Sequence, residues 1–102
     1  MERTIAVTND TDDCRYEARK DGNFAGFAAY DINDGVIDFN HTKVLDEFTG
    51  FGIGTQLIEA ALLDVRERGE YKVKATCPFV IKYIRENPGF EEILAEPLPD
   101  AE

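Results

Sequence analysis

VLDEFTGFGIGT, residues 44–55, lies between an apolar run that ends at Val44 and a helical pattern that begins at Gln56. Its three glycines alternate with Phe51 and Ile53. Glycine adopts backbone conformations that other residues resist, and it lets a ligand approach the main chain closely. A strand, a glycine-rich turn and a helix N-terminus together favour a bound anion, because the first N–H groups of a helix lack partners within it. The stretch therefore predicts a phosphate-binding loop.

Two widespread phosphate-binding motifs do not fit this loop. The P-loop requires Lys and then Ser or Thr after its last glycine, whereas Thr55 and Gln56 follow Gly54. The dinucleotide fingerprint has the spacing G-x-G-x-x-G, whereas the glycines here are spaced G-x-G-x-G. The fingerprint also belongs to a βαβ unit, and the strands that precede this loop have an antiparallel pattern.

The composition is that of one folded domain. The chain has 102 residues, of which 43% are hydrophobic, enough for a compact core. No apolar run approaches the length of a membrane span, and the polar, acidic residues 1–13 do not resemble a secretory signal. We therefore expect a cytoplasmic protein that does not enter membranes.

The net charge of −10 disfavours nucleic-acid binding, which requires a basic face. The same charge would attract cationic substrates such as amines, although it is also explained by solubility alone. Cys14 and Cys77 are expected to be free thiols in a reducing compartment. With His41 as the only histidine, they do not form a convincing zinc site, so no metal is predicted.

Alternation of polar and apolar residues predicts four strands before the glycine loop. Asp21-Gly22 is typical of a hairpin turn, and Gly26 indicates a bulge or a close contact inside the third strand. The predicted strands are Arg3–Thr8, Cys14–Arg19, Phe24–Asp31 and Val36–Val44.

A helix, a strand and a second helix are predicted after the loop. Apolar residues at helical spacing indicate a helix from Gln56 to Arg68 that ends at Gly69. The later predicted elements are a strand Tyr71–Thr76, a helix Phe79–Glu86 and a short strand Phe90–Leu94. The fold class is therefore α+β, with a mixed, mostly antiparallel sheet and two helices. Residues 1–95 are predicted to form one domain, and the acidic residues 96–102 a frayed tail.

The loop resembles the acetyl-CoA pyrophosphate loop of the GNAT-superfamily N-acetyltransferases, whose motif is Q/R-x-x-G-x-G/A. Here the motif reads Thr49-Gly50-Phe51-Gly52-Ile53-Gly54, with Thr49 where the family usually has Arg or Gln. Further segments in the same order strengthen the resemblance, which covers roughly residues 3–94. These segments are Tyr30 with Asp34-Gly35, His41-Thr42-Lys43-Val44, and Cys77-Pro78-Phe79-Val80 with Tyr83-Ile84. The chain is similar to a minimal subfamily of small acetyltransferase-like proteins that lack the helices between the first two strands.

The resemblance implies that acetyl-CoA is a co-substrate and that an amine accepts the acetyl group. The backbone from Thr49 to Thr55 would bind the pyrophosphate, and the end of the preceding strand would pair with the pantetheine arm and stabilise the oxyanion. The implied cofactor-binding residues are Val44, Leu45, Thr49, Gly50, Phe51, Gly52, Ile53, Gly54 and Thr55.

Three residues are candidates for catalysis. His41 precedes the acetyl site and could act as a base, since histidines titrate near neutral pH; it could equally be structural. Cys77, at the end of the strand after the helix, could accept the acetyl group, contact the thioester or serve as a small buried side chain. Tyr83 could protonate the leaving thiolate, although core packing also explains it. Lys43 and Lys82 are candidates, on charge alone, for contacts with the outer phosphates.

The principal hypothesis is an acetyl-CoA-dependent N-acetyltransferase of unidentified acceptor. The alternative is a non-catalytic CoA-binding or protein-interaction module on the same fold, and a third is a structural domain whose glycine loop is only a turn. A monomer or a weak dimer is expected, because the acidic surface opposes association and an exposed sheet edge favours it.

Overall fold

Residues 5–44 form the predicted antiparallel meander. The computed structural model describes residues 5–98, so Arg3, Thr4 and residues 99–102 lie outside the described part of the chain. The strands are β1 (Ile5–Asp10), β2 (Arg15–Lys20), β3 (Asn23–Asn33) and β4 (Val36–Val44). They are followed by α1 (Ile53–Arg68), β5 (Lys72–Ala75) and α2 (Pro78–Glu86), with short 3-10 helices at Asp46–Phe48 and Pro88–Ile93.

The sheet has the order β1-β2-β3-β4-β5. The first four strands pair antiparallel, and β5 pairs parallel with β4 after the crossover through α1. Residues 11–14 connect β1 directly to β2, without a helix between them. The predicted fold class, a mixed and mostly antiparallel sheet with two α-helices, is confirmed.

Two hairpin turns use the residue pair that a tight turn requires. Asp21 and Gly22 have φ of 52° and 85°, and Asp34 and Gly35 have φ of 50° and 80°. Two consecutive positive φ angles define the type I′ turn, whose twist matches that of the paired strands. The predicted close contact at Gly26 is also present, because a Cβ there would lie 2.4 Å from the carbonyl oxygen of Lys43.

Helix α1 covers one face of the sheet. Its buried stripe packs against β-strand residues such as Tyr16, Ala28 and Phe39, which form one hydrophobic core with it. The stripe comprises Leu57, Ile58, Ala61, Leu62 and Val65, as the helical spacing predicts. The helix ends at Gly69, whose φ is 67° and whose N–H donates to the carbonyl of Val65.

The short strand predicted at Phe90–Leu94 is wrong. Pro88–Ile93 is a 3-10 helix, and only Leu94 makes an isolated parallel bridge with Val73. The buried Phe90 packs on Tyr83 with ring centroids 5.9 Å apart, which draws the segment onto α2 and away from an extended course along β5. In the predicted tail, Leu98 is partly buried against the core.

No helix among residues 5–98 combines the length and apolar character needed to cross a membrane.

Candidate functional site

Strands β4 and β5 separate where β5 ends. Their parallel pairing stops at Phe39 and Ala75, and the N–H groups of Thr76 and Cys77 both donate to the carbonyl of Phe39, each at 3.1 Å. The chain then enters α2, whereas β4 continues to Val44 beside β3. A register shift at Asn40 interrupts the β3–β4 ladder at the same level, and such bulges bend a strand. One edge of the last part of β4 therefore faces away from any strand in the described sheet.

The backbone of Val44 presents its polar groups to this open edge. The N–H of Leu45 donates to Ala25 in β3 at 2.9 Å. Hydrogen-bonded and non-hydrogen-bonded pairs alternate along an antiparallel ladder, so the N–H and C=O of Val44 point away from β3. Val44, and not Leu45, consequently offers an N–H group to a ligand at the open edge.

The glycine loop delivers the N-terminus of α1 to the same place. Gly50 and Gly52 have φ of 90° and 72°, a left-handed conformation that favours glycine, and Gly52 is the N-cap without a side-chain hydrogen bond. The first bond within the helix runs from the N–H of Gln56 to the carbonyl of Gly52 at 3.1 Å. The N–H groups of Ile53, Gly54 and Thr55 thus have no acceptor inside α1, which suits an anion.

A shallow groove of about 210 Å³ joins these two features. Seven of the nine residues predicted for cofactor binding line it, namely all except Leu45 and Phe51, and the apolar rings of Phe48 and Phe79 complete its wall. The groove lining is Val44, Phe48, Thr49, Gly50, Gly52, Ile53, Gly54, Thr55 and Phe79.

Two polar side chains hold the loop in shape. The hydroxyl of Thr49 donates to the carbonyl of Asp46 at 2.8 Å and closes the 3-10 turn before the glycines. The side-chain amide of Gln56 donates to the carbonyls of Phe51 and Gly52, at 3.3 Å each. Sequence reasoning missed Gln56, although its position one helical turn after Gly52 is a signal for such a back-bond.

Cys77 lies where β4 and β5 part. Its side chain is buried, it is the N-cap residue of α2, and its thiol donates to Thr42 Oγ1 at 3.4 Å. Successive strand residues point to opposite faces of a sheet, so Thr42 and Cys77 share the helix-covered face and His41 points to the other. The structure therefore does not bring His41 to Cys77.

His41 belongs to a cluster of aromatic and charged side chains on that other face. Its exposed ring packs on Phe27 with centroids 5.8 Å apart, and the guanidinium of Arg15 lies 4.8 Å from the Phe27 centroid. Arg15 and Arg19 both pair with the buried carboxylate of Glu17, at 2.8 and 3.0 Å. This ion-pair network covers the strands where no helix packs on them in the described residues.

A comparison with known protein families identifies the family of this chain. A family model described as GCN5-related N-acetyl-transferase matches residues 15–93. The chain belongs to this family. The minimal GNAT resemblance of the sequence is thereby confirmed, together with the fold that it implied.

Solved structures agree on the fold. A solution NMR structure of a GCN5-like protein from Staphylococcus aureus aligns over 90% of this chain and 89% of that one, with a TM-score of 0.67 and 20% identity. A crystal structure of ribosomal-protein-alanine N-acetyltransferase from Brucella melitensis biovar Abortus 2308 aligns over 86% of this chain and 65% of that one, with a TM-score of 0.55 and 24% identity.

Sequence relatives match over a shorter region. Protein NATD1 of Gallus gallus and of Homo sapiens are each 42% identical to this chain over 53 residues, which is 52% of this chain. The match covers 47% and 46% of those proteins. The chain thus spans about half the length of the curated relatives it matches.

Tyr83, the third catalytic candidate of this GNAT protein, lies on the inner side of α2. It is buried against Phe90, and burial raises the pKa of its hydroxyl, with a smaller effect of the Glu59 carboxylate. The hydroxyl therefore stays protonated at neutral pH. Tyr83 is not among the residues that line the groove, whereas Phe79, one turn earlier, is.

A second cavity of about 290 Å³ opens at the opposite end of the sheet, beside the C-terminus of α1. Tyr30 donates to Asn9 Oδ1 at 2.6 Å, and Tyr16 donates to Asp64 Oδ2 at 2.7 Å. Burial is the main cause that raises the pKa of both hydroxyls, and for Tyr16 the hydrogen bond to the Asp64 carboxylate adds to it. These tyrosines stabilise the fold at a distance from the groove.

Proposed function

We propose that this GNAT protein is an acetyl-CoA-dependent N-acetyltransferase that transfers an acetyl group to an amine. One observation carries the proposal: the free N–H groups at the start of α1 lie in one groove with the open edge of β4 at Val44. The first can bind a pyrophosphate and the second an extended amide-containing arm, and acetyl-CoA contains both.

The binding roles divide between the two halves of the groove. The N–H groups of Ile53, Gly54 and Thr55 would hold the pyrophosphate, with the backbone from Thr49 to Gly52 wrapped around it. The pantetheine arm would add to the sheet at the edge of β4, with Phe48 and Phe79 against its apolar part. This arrangement would leave the thioester near Val44, Thr42 and Cys77.

Acetyl transfer requires the amine nitrogen to attack the thioester carbonyl carbon, after which the carbon–sulfur bond breaks and the thiolate leaves. The N–H of Val44 would donate to the oxygen that becomes negative. His41, whose ring lies on the uncovered face of the sheet, is the candidate to take the ammonium proton of an amine that approaches from that face, and Tyr83 is the candidate to give a proton to the thiolate. Cys77 would either contact the thioester or accept the acetyl group as a second thioester before the amine does.

A titration of acetyl-CoA and CoA, followed through amide shifts by heteronuclear NMR, tests the proposal. Shifts centred on residues 44–55 and extending to Cys77 are expected. Turnover with a panel of amines, repeated with Cys77→Ala and His41→Ala, then tests the chemistry. A covalent role for Cys77 predicts that the protein gains the mass of one acetyl group, which Cys77→Ala abolishes. An absence of binding at millimolar acetyl-CoA would refute the proposal.

The second candidate function is a non-catalytic CoA-binding or protein-interaction module. The small volume of the groove, about 210 Å³, favours it, because few side chains enclose a space for an acceptor. Saturable binding of CoA without turnover over the whole amine panel would select this alternative.

The acceptor that we propose is a cationic amine, either a small molecule or an amine of a protein. The net charge of −10 supports this choice through long-range attraction. We further propose a cytoplasmic protein that is a monomer or a weak dimer, with its domain in residues 1–95. Sedimentation and the activity of a chain truncated after Ala95 test these last two points.

A further inference from the structure

Lys20 places a positive charge beside the glycine loop. On β2, Tyr16, Ala18 and Lys20 alternate, and the first two are buried under α1. Lys20 therefore points to the face of α1, at the end of the strand where α1 begins. Its ammonium lies 4.9 Å from the ring centroid of Phe51, which stands between Gly50 and Gly52 in the loop.

The position of this ammonium is defined by packing. The side chain of Lys20 is only 13% exposed, and its ammonium lies against the ring of Phe51. Its ion-pair partner is the neighbouring Asp21, with Nζ 3.2 Å from Oδ2 and a side chain 61% exposed. Because the Asp21 side chain is exposed, its carboxylate can turn into solvent and leave Nζ of Lys20 to a phosphate group.

A cation beside the loop would offset the negative charge of the nearby carboxylates. The groove backbone supplies N–H dipoles but no net charge, and the hydroxyl of Thr49 is committed to the carbonyl of Asp46. The exposed carboxylates of Asp46 and Glu47 precede the loop, and Asp21 is beside Lys20. Several phosphate charges next to these carboxylates would be repelled unless a cation were present.

We propose that Lys20 binds the phosphate groups of acetyl-CoA, exchanging the carboxylate of Asp21 for the ligand. This inference rests on the proposed function, because it concerns the phosphate end of the same groove. It assigns the charge of the site to the β2–β3 hairpin, an element that the glycine motif does not include.

Calorimetric titration of acetyl-CoA at 0.1 M salt tests the assignment with four variants. Lys20→Met keeps the apolar stem and removes the charge, and should weaken binding about tenfold. Lys20→Arg keeps the charge and should stay within about threefold. Lys72→Met is the matched control, because Lys72 is exposed at the end of β5 that pairs with Val36, remote from the loop, and it should bind like the wild type.

The fourth variant, Asp21→Asn, should tighten binding. Asn tolerates the left-handed φ of 52° at this position, so the turn is kept while the competing carboxylate is lost. S-acetyl-pantetheine, which lacks the CoA phosphates, should bind wild type and Lys20→Met equally.

The outcomes distinguish a failure of the role of Lys20 from a failure of the proposed function. Acetyl-CoA could shift the NMR signals of the loop amides in the wild type and yet bind Lys20→Met with unchanged affinity. That result would overturn the role of Lys20 and leave the proposed function intact. An equal loss of S-acetyl-pantetheine binding in Lys20→Met would also overturn it, because the substitution would then act through the fold. Absence of acetyl-CoA binding by the wild type would overturn both.

Discussion

At the scale of single residues, the three glycines of the loop have different reasons to be glycine. Gly50 and Gly52 adopt left-handed φ angles with open space around a Cβ, apart from Gln56 Nε2 at 3.7 Å from Gly52. Gly54 has no such φ, and a Cβ there would lie 2.8 Å from Cζ of Phe79. Gly50 and Gly52 are therefore required by the backbone conformation. Gly54 is required by packing, because it lets α1 approach Phe79 of α2.

Gly54→Ala should destabilise the protein by less than about 1 kcal/mol, because the methyl group must displace the exposed Phe79 ring while the helix preference of alanine offsets part of that cost. Chemical denaturation measures the loss of free energy of unfolding, and Phe79→Leu in the same chain should restore part of it. Gly89→Ala is the control, since a Cβ at Gly89 meets nothing within 4 Å. Equal stability of Gly54→Ala and Gly89→Ala would show that the ring moves at no cost.

Tyr16 links stability to alkaline pH. Burial and the carboxylate of Asp64 raise its pKa above the ordinary value of about 10. Both states hold the proton below pH 10, and above it the unfolded chain releases the proton while the folded chain keeps it. The free energy of unfolding should therefore fall as the pH rises, by about 1.4 kcal/mol per pH unit for this tyrosine.

Tyr16→Phe tests that linkage. The variant loses a hydrogen bond to Asp64, worth about 1 kcal/mol at neutral pH, and its stability should then decline less steeply above pH 10 than that of the wild type. Urea denaturation from pH 8 to 11 measures both slopes. Parallel slopes would mean that Tyr16 ionises as readily in the folded protein as in the unfolded chain.

At the scale of elements, periodicity predicted the sheet and both helices, because each element has one buried face. It predicted the start of α1 at Gln56, whereas the helix begins at Ile53, since Gly52 and not a polar side chain is its N-cap. The bulge at Asn40 leaves little trace in a strand of mixed polarity. Phe90–Leu94 was misassigned because its apolar residues pack on α2, a tertiary contact that alternation does not encode.

The lining of the candidate groove could be predicted from the sequence only where it is built from consecutive residues. Local backbone motifs depend on consecutive residues, so the glycine loop and Val44 could be predicted from the sequence. Both line the same groove. Lys20 and Phe79 approach the loop from β2 and α2, and their proximity depends on the packing of distant segments. The roles of His41, Cys77 and Tyr83 stay predictions.

The open edge of β4 gives the proposed oxyanion contact a direct test. Val44→Pro removes the N–H that faces this edge and breaks no β3–β4 hydrogen bond, because Val44 is a non-hydrogen-bonded residue of that ladder. The turnover number for acetyl transfer should fall about 100-fold to 1,000-fold, the usual effect of losing one oxyanion donor.

Val44→Ala keeps the N–H and is the control for the lost side chain, so it should retain most of the turnover. Circular dichroism and acetyl-CoA affinity establish that the proline variant folds and binds. A folded Val44→Pro protein as active as Val44→Ala would remove Val44 from the catalytic proposal.

At the scale of the whole molecule, the net charge of the chain and the side chain of the proposed phosphate contact have opposite signs. The chain carries a net charge of −10, whereas the proposed phosphate contact is the ammonium of Lys20. Long-range repulsion acts on the approach of an anionic ligand, and the local cation acts mainly after contact. The two contributions can therefore be separated by measuring association and dissociation rates instead of affinity alone.

Raising the salt concentration from 0.01 to 0.15 M shortens the Debye length from about 30 Å to about 8 Å. The association rate constant of acetyl-CoA should then increase, by about threefold, because the repulsion between an acidic protein and an anion is screened. Stopped-flow mixing measures it, and uncharged S-acetyl-pantetheine should show no salt dependence. A rate constant for acetyl-CoA that falls with salt would mean that cations around the groove, and not the net charge, govern the approach of the ligand.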